Sequence, residues 1–189
     1  GYYNRVRNMQ QAAKQVMEQY GGNMPGEYEE LLNLKGIGSY TAGAIASIAF
    51  GQKVPAVDGN VLRVLARYCM DDALITDAKV KQRVERELGE TMSEKRPGDF
   101  NQAMMELGAM VCVPNGKPHC EECPLREQCL AHLNNCETDY PKKRDKKEIN
   151  KVQLLHKSKI LDKNGNVIDE KKSFVSVEDK EKTKEVLLM

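Results

Sequence analysis

Apolar residues recur at helical spacing along most of the chain before its cysteine cluster. Across residues 6–20 they fall three and four positions apart, which places them on one face of a helix. Further helices are predicted at 28–34, 40–50, 61–68, 80–92 and 100–111, with glycine, proline or charged residues between them. The pattern therefore predicts a mainly α-helical fold.

The pattern changes after Cys136. Residues 139–151 are rich in lysine and poor in apolar side chains, which is typical of a linker. Beyond them, Asn164-Gly165 lies between alternating apolar residues, a signal for a two-residue β-hairpin. We predict a helical part at 1–97, a cysteine-rich part at 98–138, a basic linker at 139–151 and, at 152–189, the short β-hairpin start of a truncated C-terminal domain or a disordered tail.

Composition narrows the classes of partner. The net charge is only +1, so a nucleic-acid binder would have to be recognised from local sites. No stretch approaches the roughly 20 apolar residues of a membrane helix, and no membrane partner is predicted. No secretory signal is visible, so the six cysteines favour a metal site over a disulfide framework.

The first motif that indicates chemistry is Gly36-Ile37-Gly38, between two predicted helices in the segment 34–50. Two glycines allow a sharp turn, and free amides at the start of the following helix can bind a phosphate. An ordinary turn could use the same glycines, but the flanking Leu34 and Thr41-Ala42 favour a helix-hairpin-helix, which holds the DNA backbone without reading its sequence. DNA contacts are predicted for Lys35, Gly36, Ile37, Gly38, Ser39 and Tyr40.

The second motif surrounds Asp58, which precedes the helix that begins near Asn60. An aspartate at this position is usually an N-cap, and Asn60 could equally be one. The helix dipole would also hold the carboxylate ionised, and an ionised carboxylate in a cleft can stabilise a sugar cation as a base leaves. The residues alone leave both roles open.

The third motif consists of four cysteines: Cys112, Cys120, Cys123 and Cys129. They are separated by seven, two and five residues, so one loop can wrap a single metal centre. Structural zinc more often uses two separated Cys-x-x-Cys pairs, and this run has one. A [4Fe–4S] cluster is therefore favoured, with zinc as the alternative, while Cys69 and Cys136 are expected to stay free.

Taken together, these motifs resemble the endonuclease III superfamily of base-excision DNA glycosylases, and most of all the MutY-type adenine DNA glycosylases. The run Val-Asp-Gly-Asn-Val-x-Arg-Val at 57–64, the Gly-Tyr-Tyr-x-Arg-x-Arg run at 1–7 and the helix at 100–109 carry the resemblance with the hairpin and the cysteines. It covers roughly residues 1–140. It implies a helix-hairpin-helix glycosylase fold, with a six-helix barrel, an iron–sulfur cluster domain and a Nudix-like C-terminal domain.

The resemblance also implies a reaction. Adenine opposite 8-oxoguanine or guanine would be flipped into a pocket and its glycosidic bond hydrolysed. Asp58 would stabilise the oxocarbenium-like sugar, with Tyr40 and Asn60 lining the same site, and Tyr2 and Tyr3 match the segment that wedges near the orphaned base. The family's glutamate acid is expected upstream of these tyrosines, so the 189 residues by themselves are expected to be inactive.

Tyr40 distinguishes subclasses of the superfamily. Glycosylase-lyases carry a lysine there, whereas a tyrosine cannot form a Schiff base, so the resemblance implies a monofunctional enzyme. The alternatives are a glycosylase-lyase of the endonuclease III type and a non-catalytic helix-hairpin-helix module with zinc. The implied partner is double-stranded DNA with an A:8-oxoguanine or A:G mispair, bound by a monomer. The expected location is the bacterial cytoplasm and nucleoid, or the eukaryotic nucleus or mitochondrion.

Overall fold

A computed structural model describes residues 3–142 together with 160–161 and 167–169. The chain divides into two compact units, 1–142 and 143–189. The helices of the first unit are α1 (Tyr3–Gln19), α2 (Tyr28–Leu32), α3 (Ser39–Phe50), α4 (Gly59–Tyr68), α5 (Ala78–Thr91), α6 (Pro97–Glu106) and α7 (Leu130–Leu133). A π-helical turn at Leu107–Val111 follows α6, and 3₁₀ turns lie at Cys120–Glu122, Arg126–Gln128 and Glu137–Asp139.

The predicted helical character of residues 3–142 is confirmed. Each predicted helix is present with ends shifted by a few residues, because periodicity locates a helix better than it locates its caps. The predicted helix at 100–111 differs from the others, because only its first part is α-helical. It is α6 continued by the π-helical turn, which ends at Cys112, the first residue of the cysteine cluster.

Two apolar cores hold the helices together. The first joins α1, α2 and α3 and contains Val16, Leu31, Leu34, Ala42 and Ala46. The second joins α4 and α5 and contains Val57, Val61, Leu62, Val84 and Leu88, with Phe100, Met104 and Met105 of α6 packed against it. Because α6 also packs on α3, it connects the hairpin helix to the helix that follows Asp58.

The apolar face that predicts α1 is only partly used in the first core. Val16 is buried, but Val6, Met9 and Met17 are 64%, 64% and 67% exposed. Among the described residues, therefore, most of this face is not covered. The periodicity was sufficient to predict a helix but did not predict what packs against it.

The buried side chain of Asn101 connects α6 to the segment before Asp58. Its Nδ2 donates to the Ser47 Oγ at 2.7 Å and to the Val54 carbonyl at 2.9 Å, and its Oδ1 accepts from the Ala56 amide at 3.0 Å. Asn101 is 2% exposed. It therefore fixes, from the interior, the loop that leads into α4.

The substitution Asn101→Leu is expected to lower the free energy of unfolding by about 2–4 kcal/mol. Leucine has a similar size but leaves the Val54 carbonyl and the Ala56 amide without partners, at about 1–3 kcal/mol for each buried group. Chemical denaturation measures the change. Gln102→Leu, on the exposed side of the same helix, is the matched control and should have little effect. Equal stability of the two variants would show that the Asn101 contacts are dispensable.

The second unit contains one described feature, a pair of short antiparallel strands. Strand β1 (Ile160–Leu161) pairs with β2 (Val167–Asp169), with Ile160 opposite Asp169 and Leu161 opposite Val167. The predicted Asn164-Gly165 turn and most of the regions 139–151 and 152–189 lie outside the described residues. The start of a C-terminal domain there, like the domain boundaries at 97/98 and 138/139, stays a prediction. Within the described residues, no helix has the length and apolar character to cross a membrane.

Candidate active site and cysteine centre

The hairpin between α2 and α3 depends on one glycine rather than two. Gly36 has a φ of +78°, and a Cβ there would lie 2.5 Å from the Cβ of Asn8 on α1, so both conformation and space require glycine. Gly38 is extended, with φ −101° and ψ −179°, and no atom lies within 4 Å of where its Cβ would be. The expectation that both glycines make the turn is therefore corrected to Gly36 alone.

The hairpin contacts α1 and the first core, and several of its residues are exposed to solvent. The Lys35 amide donates to the Gln15 Oε1 at 2.7 Å, and Ile37 packs on the first core. Lys35, Gly36, Gly38 and Tyr40 are exposed, and Ser39 and Ile37 are half-buried. Since Gly38 supplies no side-chain cap to α3, the first amides of that helix remain available to an anion.

A lysine from another helix reaches the start of α3. The Lys81 Nζ on α5 donates to the Ser39 Oγ at 2.8 Å and forms an ion pair with Glu85 at 3.5 Å. A positive charge beside uncapped amides strengthens an anion site. The sequence did not indicate Lys81, because its contact spans 42 positions.

Asp58 is the N-cap of α4. Its Oδ1 accepts from the Asn60 and Val61 amides at 2.8 and 2.9 Å, and its Oδ2 accepts from the Asn60 Nδ2 at 2.9 Å. The structural role that the sequence left open is thus present. It does not exclude the chemical one, because a half-buried carboxylate held by three donors has a fixed position and a fixed orientation.

Asn60 and Arg63 join Asp58 to the cysteine loop. The Asn60 Oδ1 accepts from the Arg63 Nη2 at 2.8 Å, and Arg63 donates in turn to the Gly108 carbonyl at 2.7 Å and the Cys112 carbonyl at 2.8 Å. Burial lowers the pKa of the Arg63 guanidinium. A Cβ on Gly108 would lie 2.6 Å from the Asn60 Cβ, so glycine permits this approach.

Arg67, one turn further along α4, holds the two ends of the cysteine region. Its Nε donates to the carbonyls of Glu137 and Tyr140 at 2.9 and 3.0 Å. Its Nη1 donates to the Val113 carbonyl at 3.0 Å and the Cys112 Sγ at 3.2 Å. It is 4% exposed. No role was predicted for Arg63 or Arg67 from the sequence. The available signal was a pair of arginines four positions apart on an otherwise apolar helix.

Tyr3 and Tyr40, two of the predicted site tyrosines, lie on different helices. Tyr40 is partly exposed on α3, and its hydroxyl donates to the Met105 Sδ at 3.4 Å. In the part of the chain that is described, no hydrogen bond joins Tyr40 to Asp58. Tyr3, at the start of α1, is 76% exposed, and Tyr2 lies outside the described residues.

The four predicted cysteines line a single cavity: Cys112, Cys120, Cys123 and Cys129. All four are reduced, and mainly apolar side chains complete the lining. Burial raises the pKa of the Cys123 thiol, and burial followed by the Glu137 carboxylate raises the pKa of Cys120 to about 11. No three of these four described sulfurs lie within 4.8 Å of one another. Cys69 and Cys136 are also reduced and lie outside this cavity.

No protein-family model matches the chain. In solved structures, the chain is similar to a thermostable thymine-DNA glycosylase, with a TM-score of 0.59, 28% identity, and coverage of 69% of this chain and 59% of that one. It is also similar to endonuclease III in a non-covalent DNA complex, with a TM-score of 0.59, 30% identity, and coverage of 71% and 60%. The helical unit is therefore that of the helix-hairpin-helix DNA glycosylases.

Curated relatives of the chain are adenine DNA glycosylases. The chain is 49% identical to human adenine DNA glycosylase over 132 residues, which is 69% of this chain and 24% of the relative. It is 45% identical over 149 residues to the Arabidopsis thaliana enzyme, covering 76% and 23%, and 36% identical over 149 residues to that of Buchnera aphidicola from Acyrthosiphon pisum, covering 79% and 42%. The chain is thus homologous to adenine DNA glycosylases over 132 to 149 residues, and it spans less than half the length of these relatives.

Proposed function

We propose that this chain is part of a monofunctional adenine DNA glycosylase that acts in base-excision repair. The reaction is hydrolysis of the N-glycosidic bond of adenine mispaired with 8-oxoguanine or guanine. The observation that carries the proposal is the identity of 36–49% to adenine DNA glycosylases from a bacterium, a plant and a mammal. The helical barrel part at 1–97 and the cluster domain part at 98–138 would together form the catalytic body.

Asp58 would carry the chemical step. As the base leaves, positive charge develops on the sugar, and a carboxylate already fixed by three hydrogen bonds opposes that charge without reorganising. Asn60 sets the orientation of the Asp58 Oδ2 and would line the same site. Tyr40, on α3, would contact the flipped nucleotide, and its hydroxyl offers no amine for a Schiff base.

The hairpin would bind the DNA. Its exposed amides at the start of α3 suit a phosphate of double-stranded DNA, and a backbone contact of this kind carries no sequence information. Tyr3, exposed at the start of α1, and its neighbour Tyr2 are the candidates for contact near the orphaned base. A single chain would suffice for these contacts, so we propose that the protein acts as a monomer on the genome, whether in a nucleoid, a nucleus or a mitochondrion.

The cavity of the four cysteines suits a [4Fe–4S] cluster. One zinc ion with Zn–S bonds of about 2.3 Å would hold its sulfurs roughly 3.8 Å apart, whereas no three of these four described sulfurs lie within 4.8 Å. A cubane places iron and sulfide between its ligands and so suits wider spacing. Four cysteine ligands leave no open iron position, so the cluster would be structural and would fix the loop that Arg63 and Arg67 contact.

A Gly38→Val substitution tests the hairpin. The backbone at Gly38 is one that valine adopts readily, and the space around it is open, so folding should be unaffected. The added side chain would stand where a phosphate approaches, and we expect roughly tenfold weaker binding of the 189-residue chain to DNA. The affinity for two duplexes of unrelated sequence should fall by the same factor. Unchanged binding, with unchanged thermal unfolding, would show that DNA does not approach Gly38.

Borohydride trapping on an A:8-oxoguanine duplex distinguishes the proposal from the glycosylase-lyase alternative. The complete gene product should release adenine and leave no covalent protein–DNA adduct, because the position of a lyase lysine is Tyr40. Endonuclease III is the positive control for trapping on its own substrate. A strong adduct formed by this protein would favour the lyase.

A further inference from the structure

Cys120, His132 and Glu137 lie side by side at one end of the cysteine region. One possible ligand atom from each side chain lies within 4.8 Å of the other two. The His132 Nδ1 and the Glu137 Oε1 are 2.7 Å apart. Thiolate, imidazole and carboxylate are the three kinds of protein ligand that zinc uses, and three of them with an open fourth position form a common zinc geometry.

The surroundings of this trio suit a cation. Glu137 is 9% exposed, and among the described residues its carboxylate has an ion pair only with His132. His132 is charged only when protonated, so a Zn²⁺ ion would give this carboxylate a stronger cationic partner. The backbone of Glu137 is held by Arg67 through its carbonyl, so the carboxylate does not need to move far to remain in the group.

The trio also has access to solvent. All three side chains line a second cavity, whose other lining residues include Lys117, His119 and Asn135. An ion could enter through this cavity, and a water molecule could occupy its fourth coordination position from that side. The same three residues contribute to the wall of the four-cysteine cavity, so the two cavities meet at Cys120.

We propose that Cys120, His132 and Glu137 form a second metal site, which takes Zn²⁺ and shares the Cys120 sulfur with the four-cysteine site. A thiolate already bound to Zn²⁺ is a weaker donor to iron, and zinc would hold the Cys120 sulfur beside His132 and Glu137. Zinc in the trio and a complete iron–sulfur cluster therefore exclude each other. The zinc site goes beyond the proposed glycosylase function; only the exclusion rests on the proposed cluster.

Zinc titration of the cluster-free 189-residue chain, in competition with a chromophoric chelator, tests the site. We expect one tightly held Zn²⁺ per chain. His132→Ala and Glu137→Gln should weaken it by at least on the order of 100-fold, because loss of a direct ligand costs no less than loss of an outer-shell partner. Cys112→Ser and Cys129→Ser should leave it within about twofold. His119→Ala, which removes an exposed histidine of the same cavity, is the matched control and should leave the zinc affinity unchanged.

Two results would overturn the zinc site. One is the absence of tight zinc in the wild-type chain. The other is the reverse pattern, in which the Cys112 and Cys129 variants lose zinc and the His132 and Glu137 variants keep it, since zinc would then use the four thiols. Binding of Co²⁺ to the unmutated chain provides a second test, which does not depend on whether a variant folds. Co²⁺ bound through Cys120 alone should give much weaker sulfur-to-cobalt charge-transfer absorption than Co²⁺ bound through four thiolates.

The exclusion is tested by cluster assembly. Zinc-loaded wild-type chain should assemble a cluster from iron and sulfide markedly more slowly than zinc-free chain, and zinc should make no difference in His132→Ala. Equal assembly with and without zinc would overturn the exclusion. Failure of zinc-free chain to assemble any cluster would overturn the exclusion together with the proposed cluster, while the titration decides the zinc site separately.

Discussion

The complete gene product with Asp58→Asn is expected to release adenine on the order of 10³-fold more slowly than the wild type. Binding to an A:8-oxoguanine duplex should change little. The carboxylate opposes a positive charge that exists mainly in the transition state, so its loss affects rate more than affinity. Single-turnover cleavage and equilibrium binding on the same duplex measure the two quantities.

The fold should tolerate this change. An asparagine oxygen at position 58 can still accept from the amides of Asn60 and Val61, so the cap of α4 survives and only the contact from the Asn60 Nδ2 is lost. Asp77→Asn is the matched control, because Asp77 caps α5 in the same way by accepting from the Lys79 amide. Near-normal release by the Asp58 variant would mean that Asp58 is only a cap.

The second large effect is expected at Arg67. Arg67→Leu should lower the free energy of unfolding by about 3–5 kcal/mol, because several buried carbonyls lose their donor at about 1–3 kcal/mol each. It should also reduce the iron content of anaerobically purified protein to near zero, since Arg67 connects Cys112 and Val113 to the segment at Glu137 and Tyr140.

Arg86→Leu is the matched control for Arg67. Arg86 is exposed on α5, and loss of its side chain should change stability by no more than about 0.5 kcal/mol. Iron content of that variant should match the wild type. An Arg67 variant with wild-type iron and stability would show that the cysteine loop forms without its contacts to α4.

The sequence predicted those parts of the fold that depend on residues close together in the chain. Periodicity located the helices, and the Asp58 position located the start of α4, because a cap and the helix it begins are adjacent in sequence. The hairpin was located as well, although the turn requires only Gly36. The conformation of Gly38 could not be read from the residue type, because glycine also occurs in ordinary extended backbone.

Long-range contacts account for what the sequence did not reveal. Arg63 and Arg67 bind carbonyls 45 to 73 positions away, and Asn101 binds a segment 45 positions before it. Nothing in the spacing of these residues indicates such partners. The four cysteines were recognisable because their ligand spacing is local, whereas His132 and Glu137 approach Cys120 only through the folded path of the loop.

We propose that this chain supplies Asp58, the DNA-binding hairpin and the cysteine centre of an adenine glycosylase. The most direct measurement is the identity of the base that the complete gene product releases from duplexes differing at one position. Free adenine from A:8-oxoguanine and A:G, with little from A:T and with the strand left uncut, is the predicted result. Release of an oxidised pyrimidine in place of adenine would contradict it.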